Sequence, residues 1–334
     1  MRTFNNVYNP KTIDWLLEKE NPSVRYFTLT GLLNKPFTDK NVIESKKAIF
    51  NKGIVACILE QQHEGGYWGD PGRFYNAKYT GTVWQLMILA ELGADVSDER
   101  IKNACEFILN NAQEKESCGF SFRKHAKEPG GIKSEIIPCL TGNMVWSLVK
   151  LGLVDDKRVQ GGIEWICNYQ RTDDRTDKPP QGWPYDRYEM CWGRHSCHMG
   201  VVKSLKALAA IPDEKRNDAV KEKISQLAEF LLKHHIYKKS HDLSKTSRPG
   251  WLKPGFPLMY QTDILEILEI LTDLGYHDPR IQGAIDIIKS KKNKEGRWIL
   301  ENTFNGKMLE DIEQKGKESK WITLKALKII SHYE

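Results

Sequence analysis

The sequence predicts an all-α protein in which helix pairs close into a ring, an α/α toroid (barrel). Three observations favour this class. Apolar residues recur at helical spacing in successive segments, glycine-aromatic pairs recur between them, and every second segment is apolar on most of its faces. A helix that is apolar on nearly all faces must be surrounded by protein. An inner ring of apolar helices, surrounded by an outer ring of amphipathic helices, buries the apolar faces with about six helix pairs. The alternative is an open superhelix of the same pairs.

The repeat is marked by aromatic residues that follow glycine in polar turns. These residues are Tyr67, Trp68, Phe120, Trp183, Trp251 and Trp298. The intervals between them are unequal, as is usual for helix pairs whose connecting segments differ in length. Because aromatic side chains at such turns commonly pack one repeat against the next, we interpret them mainly as core residues.

An amphipathic segment precedes most of these aromatic residues, and a second segment, which is more apolar, follows. The amphipathic set, expected to form outer helices, includes ACEFILNNAQ, GGIEWICNYQ, LAEFLLKHHI and GAIDIIKSKK. The apolar set, expected to form the inner ring, comprises YTGTVWQLMILAELG, CLTGNMVWSLVKLG, SCHMGVVKSLKALAAI, YQTDILEILEILTDLG and SKWITLKALKII. We therefore predict a single toroid domain over residues 1–334, with a degenerate first helix pair at 1–38, five repeat units at 39–334 and a long basic loop at 236–259.

Composition excludes several classes of protein. The 50 basic and 44 acidic residues give a net charge of +6 and are largely interleaved, which is typical of a solvated surface, so we do not expect nucleic acid binding. No stretch reaches the roughly 18 apolar residues of a transmembrane helix. Seven scattered cysteines suit free thiols in a reducing compartment, and the polar N-terminus lacks the features of a secretory signal, so a cytoplasmic location is expected.

Three glutamine-to-aromatic turns carry a family resemblance. They are Gln61 and Gln62 through Tyr67 and Trp68, Gln170 through Gly182 and Trp183, and the weaker Gly296 to Trp298. With the inner helices that follow them, the chain resembles the terpenoid cyclase and protein prenyltransferase superfamily, in particular squalene-cyclase-like repeat proteins, over about residues 40–330. The resemblance implies a toroid that works in a central cavity, at the N-terminal ends of the inner helices.

The reaction motifs of that superfamily are not matched. The Asp-x-Asp-Asp acid of class II cyclases does not occur. The stretch from Asp173 to Asp177 has the Asp-Asp-x-x-Asp pattern by which class I synthases hold magnesium, but it lies in a polar turn where acidic residues are ordinary. The resemblance therefore supports the fold more specifically than the reaction.

The N-terminal ends of the inner helices supply the candidate site. Free backbone N–H groups and the positive end of the helix dipole favour an anionic ligand there. The residues predicted to bind substrate are Tyr79, Asn143, Trp192, Arg194, Lys253, Gln261 and Trp321. The residues predicted to be catalytic are Asp186, His195, His198, Tyr260 and Asp263, because imidazole titrates near neutrality, a carboxylate can orient it and a phenol can carry a second proton.

A zinc site is a further hypothesis, and zinc is the one cofactor that the residue types suggest. Thiols, imidazole and carboxylate are zinc ligands, and the candidate set is Cys139, Cys197, His198 and Asp263. The resemblance implies such a set, since protein prenyltransferases hold zinc with an Asp, a Cys and a His. The stretch CWGRHSCHMG also resembles the zinc-binding stretches of lanthionine synthetase C-like toroids, although the order differs. Metal-free acid/base chemistry, or histidines and thiols with a purely structural role, are the alternatives.

Three functions follow as hypotheses. The first is an enzyme that binds or transforms an isoprenoid or similar apolar anionic small molecule in the central cavity, by acid/base or metal-assisted chemistry, with the basic loop at 236–259 gripping the anionic group. The second is a non-catalytic binding protein on the same fold, which the missing Asp-x-Asp-Asp favours. The third is a polysaccharide lyase-like enzyme. No feature of the sequence sets the oligomeric state.

Overall fold

A computed structural model describes residues 8–176, 178 and 180–334. Asp177, the last residue of the acidic stretch discussed above, lies outside the described residues. The chain divides into two compact units: the first comprises the described residues up to Glu60, His235–Leu258 and Asp263–Glu334, and the second comprises Gln61–His234 and Met259–Thr262. The single-domain organisation stays a prediction.

The chain is mainly helical. In chain order the helices are α1 (Pro10–Leu16), α2 (Pro22–Phe27), α3 (Lys40–Asn51), α4 (Gly53–Glu60), α5 (Thr82–Glu91), α6 (Glu99–Asn111), α7 (Pro138–Lys150), α8 (Lys157–Tyr169), α9 (Glu189–Trp192), α10 (His198–Ala209), α11 (Asp218–Lys233), α12 (Ile264–Asp273), α13 (Gln282–Ser290) and α14 (Lys320–Tyr333). Two antiparallel strand pairs add β1 (Lys238–Lys239) with β2 (Asp242–Thr246), and β3 (Trp298–Ile299) with β4 (Glu318–Ser319). The predicted all-α class is confirmed.

The alternation of helix types agrees with the predicted pairs. The segments expected to be inner helices form α5, α7, α10, α12 and α14, and those expected to be outer helices form α6, α8, α11 and α13. Every residue of α5 from Thr82 to Ala90 is buried, whereas α6 buries one face only. The predicted basic loop at 236–259 is not wholly irregular: it contains the β1–β2 hairpin and a 3-10 turn at Pro249–Leu252. Apart from Leu243, its strands consist of polar residues, so no alternating pattern revealed them.

The glycine-aromatic marks are tied to the start of the helix that follows. In each of three repeats the backbone N–H of the aromatic residue donates to a threonine hydroxyl in the first turns of the next inner helix. The bonds are Trp68 N to Thr82 Oγ1 at 3.2 Å, Phe120 N to Thr141 Oγ1 at 3.0 Å and Trp298 N to Thr323 Oγ1 at 3.0 Å. The three aromatic side chains are buried, so they are core residues.

The start of the outer element is built by a second recurring device. An aspartate caps the first turn and pairs with the arginine two residues later. The caps are Asp98 at α6, Asp156 at α8 and Asp278 at the turn leading into α13, each accepting from the backbone N–H of the arginine at 2.8 to 2.9 Å. Such caps contribute about 1 kcal/mol each to helix stability.

Within the second unit, α7 and α10 pack with their backbones in contact. Gly142 in α7 lies so close to α10 that a Cβ built on it would be 2.6 Å from the carbonyl carbon of Lys203 and 2.8 Å from the backbone nitrogen of Ser204. Only a glycine permits this approach. Among the described residues, no helix is both long enough and apolar enough to cross a membrane.

Candidate functional site

The ammonium group of Lys78 lies among three aromatic rings in the second unit. Its Nζ is 4.7 Å from the ring centroid of Tyr260, 5.1 Å from that of Tyr75 and 5.8 Å from that of Trp84. All three distances are within the range of about 6 Å over which a cation and an aromatic face attract each other. Tyr79 completes the group by an edge contact with Trp84 at 5.3 Å. We call these five residues the aromatic site.

The segment before α5 and the first turn of α5 hold the aromatic site in place. The indole Nε1 of Trp84 donates to the carbonyl oxygen of Tyr75 at 2.8 Å, and Gln85 Nε2 donates to the carbonyl oxygen of Tyr79 at 3.0 Å. Tyr260 comes from the short segment at 259–262, whose first carbonyl accepts from Asn143 Nδ2 in α7 at 3.4 Å. Inner helices α5 and α7 therefore orient the side chains that surround Lys78.

The phenols of Tyr75 and Tyr260 are neutral at neutral pH. Burial, together with the neighbouring thiols and phenols, raises the pKa of Tyr75 well above its usual value. Burial also raises the pKa of Tyr260, and so does its hydrogen bond with Tyr79. The site therefore combines one positive charge, neutral hydroxyl groups and apolar ring faces, a combination that suits a mainly apolar ligand with an anionic end.

The aromatic contacts continue beyond the site to a buried carboxylate. Phe122 contacts Tyr75 and Tyr188, with centroid distances of 6.0 Å in both pairs. The Tyr188 hydroxyl donates to Glu135 Oε2 at 2.6 Å, and Arg123 pairs with the same carboxylate. Although burial opposes ionisation, these hydrogen bonds lower the pKa of Glu135. Sequence reasoning missed Glu135, because a single glutamate among isoleucines carries no recognisable signal.

The predicted substrate-binding residues divide into two groups. Tyr79 lies in the aromatic site, beside Tyr260, which was predicted to be catalytic, and Asn143 supports the site. The Oε1 atom of Gln261, the residue after Tyr260, is buried without a hydrogen-bond partner among the described residues. Trp192 instead packs in the interior, in edge contact with Trp165 and Tyr185 at 6.0 and 5.4 Å. The tryptophan is buried because α9 turns it toward the core, which its sequence neighbours did not indicate.

Arg194 and His195 line an open groove of about 410 Å³ together with Arg175, Glu189 and Met190. His195 Nδ1 accepts the backbone N–H of Arg175 at 3.2 Å and lies 3.5 Å from Asp174 Oδ1. The groove thus carries positive charge and one imidazole.

Asp186, predicted to be catalytic, accepts a hydrogen bond from the backbone N–H of Gly182 at 2.6 Å and so closes a turn.

The predicted zinc ligands are not gathered into a metal site. Within the part of the chain that the structure describes, no group of three or more histidine, cysteine, aspartate or glutamate side chains could hold a metal ion. The His198 ring packs against Phe230 and His234 of α11, at 5.7 and 5.2 Å between centroids. Cys197 immediately precedes His198, at the N-cap position of α10. Burial raises the pKa of Cys139 to about 12, so this thiol stays protonated.

Three predicted residues belong to the first unit. Asp263 is the N-cap of α12: Oδ1 accepts from Glu266 N at 2.9 Å and Oδ2 from Gly255 N at 2.8 Å. Trp321 stacks on Phe256 with 4.6 Å between centroids, and Lys253 is exposed. The geometry gives Asp263 and Trp321 clear structural roles.

Asp263 makes the stability of the first unit depend on pH. Burial raises its pKa to about 7, against the lowering effect of its backbone hydrogen bonds. An unfolded aspartate titrates near pH ~3.9, so over the interval between about 4 and 7 the folded chain holds the proton more tightly. The contribution of this group to the free energy of unfolding is therefore full below pH ~4 and is lost as the pH rises to about 7.

We expect the free energy of unfolding of Asp263→Asn to vary less with pH over this interval than that of the native chain. The asparagine still caps α12 but cannot ionise. Urea unfolding at several pH values measures the slope. Asp39→Asn is the matched control, because Asp39 caps α3 at a partly exposed position, with its Oδ1 2.8 Å from Asn41 N. Equal slopes for native chain and Asp263→Asn would contradict the assignment.

Comparison with known families bears on the sequence resemblance. The family model of the squalene-hopene cyclase C-terminal domain matches residues 36–190. The predicted resemblance to the terpenoid cyclase superfamily is confirmed. The matched stretch contains four of the five residues of the aromatic site, namely Tyr75, Lys78, Tyr79 and Trp84. No match was found among curated protein sequences.

Solved structures with similarity to the chain include two kinds of enzyme. One is a family 76 glycoside hydrolase from a bovine Bacteroides thetaiotaomicron strain, with 14% identity and a TM-score of 0.41, covering 75% of this chain. The chain spans 55% of the length of that hydrolase. Another is the type II terpene cyclase MstE from Scytonema in complex with merosterolic acid A. Its identity with this chain is 13% and the TM-score is 0.31, and the match covers 87% of this chain and 96% of the cyclase. At these identities the similarities say nothing about activity.

Proposed function

We propose that the aromatic site binds an apolar small molecule with an anionic group, of the isoprenoid class. The observation that carries this proposal is the position of the Lys78 ammonium group, 4.7 to 5.8 Å from three ring centroids. A cation held on ring faces keeps its remaining hydrogen-bond donors available to an anion, while the partly exposed rings of Tyr75 and Tyr260 offer apolar surface to a hydrocarbon.

The surrounding groups support the same ligand class. The hydroxyl groups of Tyr79 and Tyr260 can donate a hydrogen bond to an oxyanion, and the buried Oε1 of Gln261 can accept one from a ligand hydroxyl. Phe122 and Tyr188 extend the ring surface away from Lys78. A ligand with its charged end at Lys78 and its chain along this surface would satisfy both parts of the site.

Binding is the part of the first hypothesis that these residues support best. Catalysis would fall to the Tyr79–Tyr260 pair as proton carriers, whereas Asp263 and Asp186 are occupied by backbone amides. The absence of the Asp-x-Asp-Asp motif keeps a non-catalytic binding protein as the alternative. The two are separated by whether a bound prenyl compound is recovered unchanged.

Calorimetric titration tests the ligand class. Farnesyl diphosphate, farnesol and inorganic pyrophosphate present the apolar chain with the anion, the chain alone and the anion alone. We expect farnesyl diphosphate to bind at least about tenfold more tightly than either of the others, because it engages both the ring faces and Lys78. If pyrophosphate binds as tightly as the ester, or if no prenyl compound binds, the proposal is wrong.

A polyanionic sugar is the second candidate ligand, and the groove at Arg194 favours it. Arg175 and Arg194 could neutralise sugar carboxylates, and His195 could abstract a proton. Incubation with polygalacturonate tests this directly, because a lyase releases unsaturated products that absorb ultraviolet light. Their appearance, together with their loss in His195→Gln, would favour this candidate over the isoprenoid.

A further inference from the structure

The only Asn-Gly pair of the sequence, Asn305 with Gly306, lies in a tight turn of the first unit. The Lys307 backbone N–H donates to the carbonyl oxygen of Phe304 at 3.0 Å, which closes the turn, and Gly306 has a φ of +75°. Glycine adopts this left-handed conformation at no steric cost. Gly306 is exposed, and a Cβ built on it would have no heavy atom within 4 Å. Because glycine has no side chain, nothing at this residue shields its backbone nitrogen from the side-chain amide of Asn305.

The side-chain amide of Asn305 is held in one orientation by two neighbours. Its Nδ2 donates to the carbonyl oxygen of Glu313 at 2.7 Å, and its Oδ1 accepts from the Thr303 hydroxyl at 2.5 Å. Since a carbonyl oxygen can only accept, the contact with Glu313 fixes which end of the amide is the nitrogen. The Thr303 hydroxyl therefore donates to the amide oxygen, and it can stabilise negative charge that develops there.

A carboxylate contacts the backbone nitrogen of the next residue. Asp311 Oδ1 accepts from the Gly306 N–H at 2.9 Å, and Asp311 is exposed. A carboxylate within hydrogen-bond distance of a proton can act as its general base. The turn thus provides a base at the Gly306 nitrogen and a hydrogen-bond donor at the amide oxygen of Asn305. These are the two groups that would assist attack of the nitrogen on the amide carbon.

We propose that Asn305 is a site of spontaneous deamidation, with Asp311 as the general base and Thr303 as the hydrogen-bond donor to the reacting amide. The proposal rests on the hydrogen bonds of this turn and not on the ligand proposed for the aromatic site. Water is the only co-reactant.

The reaction has two stages. The Gly306 nitrogen gives its proton to Asp311 and forms a bond to Asn305 Cγ, whose oxygen takes up negative charge and accepts from Thr303. The bond between Cγ and Nδ2 then breaks, and the nitrogen leaves as ammonia with the proton from Asp311. A cyclic imide of Asn305 and Gly306 remains. Water opens this ring at either carbonyl, which gives aspartate or isoaspartate, so one NH2 group is replaced by one OH group overall.

Deamidation would act on the start of α14. The Glu313 carboxylate accepts from the Lys320 backbone N–H at 2.7 Å and also binds the Ser319 hydroxyl, while the Asn305 amide holds the Glu313 carbonyl oxygen. After deamidation a carboxylate oxygen would replace the amide donor and repel that carbonyl oxygen. The modification would therefore loosen the residue whose carboxylate binds the first turn of an inner helix.

Peptide mapping of the full chain after storage in mildly alkaline buffer tests the proposal. Trypsin cuts after Arg297 and Lys307, so Asn305 is recovered in peptide 298–307 together with Asn302. We expect two new forms of this peptide, aspartate and isoaspartate, which have the same mass and separate by chromatography. Asn302 precedes Thr303 and is the internal control, which should stay unchanged. An unmodified peptide, aspartate as the single product, or reaction of Asn302 as fast as that of Asn305 would overturn the proposal.

Two variants test the roles of the assisting groups. Asp311→Asn keeps an oxygen acceptor for the Gly306 N–H but cannot take up its proton, so Asn305 should react at least about tenfold more slowly. Thr303→Val should slow the reaction at least about threefold, because the developing oxyanion loses a donor. A rate equal to that of the native chain in Asp311→Asn, or a faster reaction in either variant, would overturn the proposal, because motion of the turn would then set the rate.

Asp286→Asn is the matched control for the loss of a carboxylate from the first unit. Asp286 is exposed on α13, where its Oδ1 accepts from Gln282 Nε2 at 2.8 Å. Asn305 should react in this variant as fast as in the native chain, whereas an equal slowing in Asp286→Asn and Asp311→Asn would contradict the role of Asp311. Far-ultraviolet circular dichroism checks that each variant is folded.

Discussion

Replacing Gly142 with valine is expected to lower the free energy of unfolding by at least about 3 kcal/mol, because the new side chain would meet the backbone of α10. A Cβ at this position would lie 2.6 Å from the carbonyl carbon of Lys203 and 2.8 Å from its oxygen. Backbone atoms cannot rotate away as a flexible side chain can, so α7 and α10 would have to separate. Both helices are almost completely buried, and separation would open gaps on either side of them.

Alanine variants give this prediction a matched control. Alanine favours a helix over glycine by about 1 kcal/mol, so Gly283→Ala in α13 should be neutral or stabilising. A Cβ at Gly283 would have the Tyr237 hydroxyl as its nearest neighbour, at 3.5 Å, which is an ordinary contact. Gly142→Ala should instead destabilise the chain, by about 2 kcal/mol. Urea unfolding measures both. Equal stability of the two alanine variants would show that α7 and α10 do not pack backbone to backbone.

Substitution of Lys78 by methionine should weaken binding of farnesyl diphosphate about 10- to 100-fold and leave farnesol binding nearly unchanged. A hydrogen bond to a charged group contributes about 1.5 to 3 kcal/mol, and this contribution is lost when the ammonium group is removed. Methionine keeps a similar length and an apolar stem, so contact with the rings of Tyr75, Trp84 and Tyr260 remains possible. Calorimetric titration of both ligands gives the two affinities.

Lys133→Met controls for the loss of a surface cation that lies over an aromatic ring. The Nζ of Lys133 is 5.3 Å from the Trp183 ring, and its side chain is 49% exposed. This variant should bind both ligands as the native chain does. If Lys78→Met loses affinity for farnesol and the diphosphate equally, Lys78 supports the arrangement of the aromatic site and does not recognise the anion.

The spacing of apolar residues was enough to predict the helices, because a buried helix face requires apolar residues at regular positions in the sequence. The run TVWQLMILA in α5 is apolar on nearly all faces, and only a helix covered by other elements can accommodate it. The hydroxyl residues at the inner-helix starts were visible as a pattern, but their role was not. That Thr82, Thr141 and Thr323 bind the N–H groups of the aromatic marks follows only from how the chain turns back on itself.

The candidate site was less predictable, since it depends on contacts between distant parts of the chain. Tyr79 and Tyr260 are separated by 181 residues in sequence, yet their hydroxyls share a hydrogen bond. Both were predicted from their places before inner helices. By contrast, the same reasoning selected Trp192, which the structure buries in the interior, and Asp263, which caps a helix. Residue type and element cannot distinguish a side chain that caps or packs from one that faces a ligand.

The sequence by itself determined the helix pairs, their inner or outer character and the resemblance to the terpenoid cyclase superfamily, because these depend on local periodicity and on short turn motifs. Only the tertiary structure decided which polar and aromatic groups meet. It placed Lys78 among three rings, and among the described residues it left the predicted metal ligands ungathered. Side-chain direction is set by packing around each helix start, and packing is a property of the folded chain.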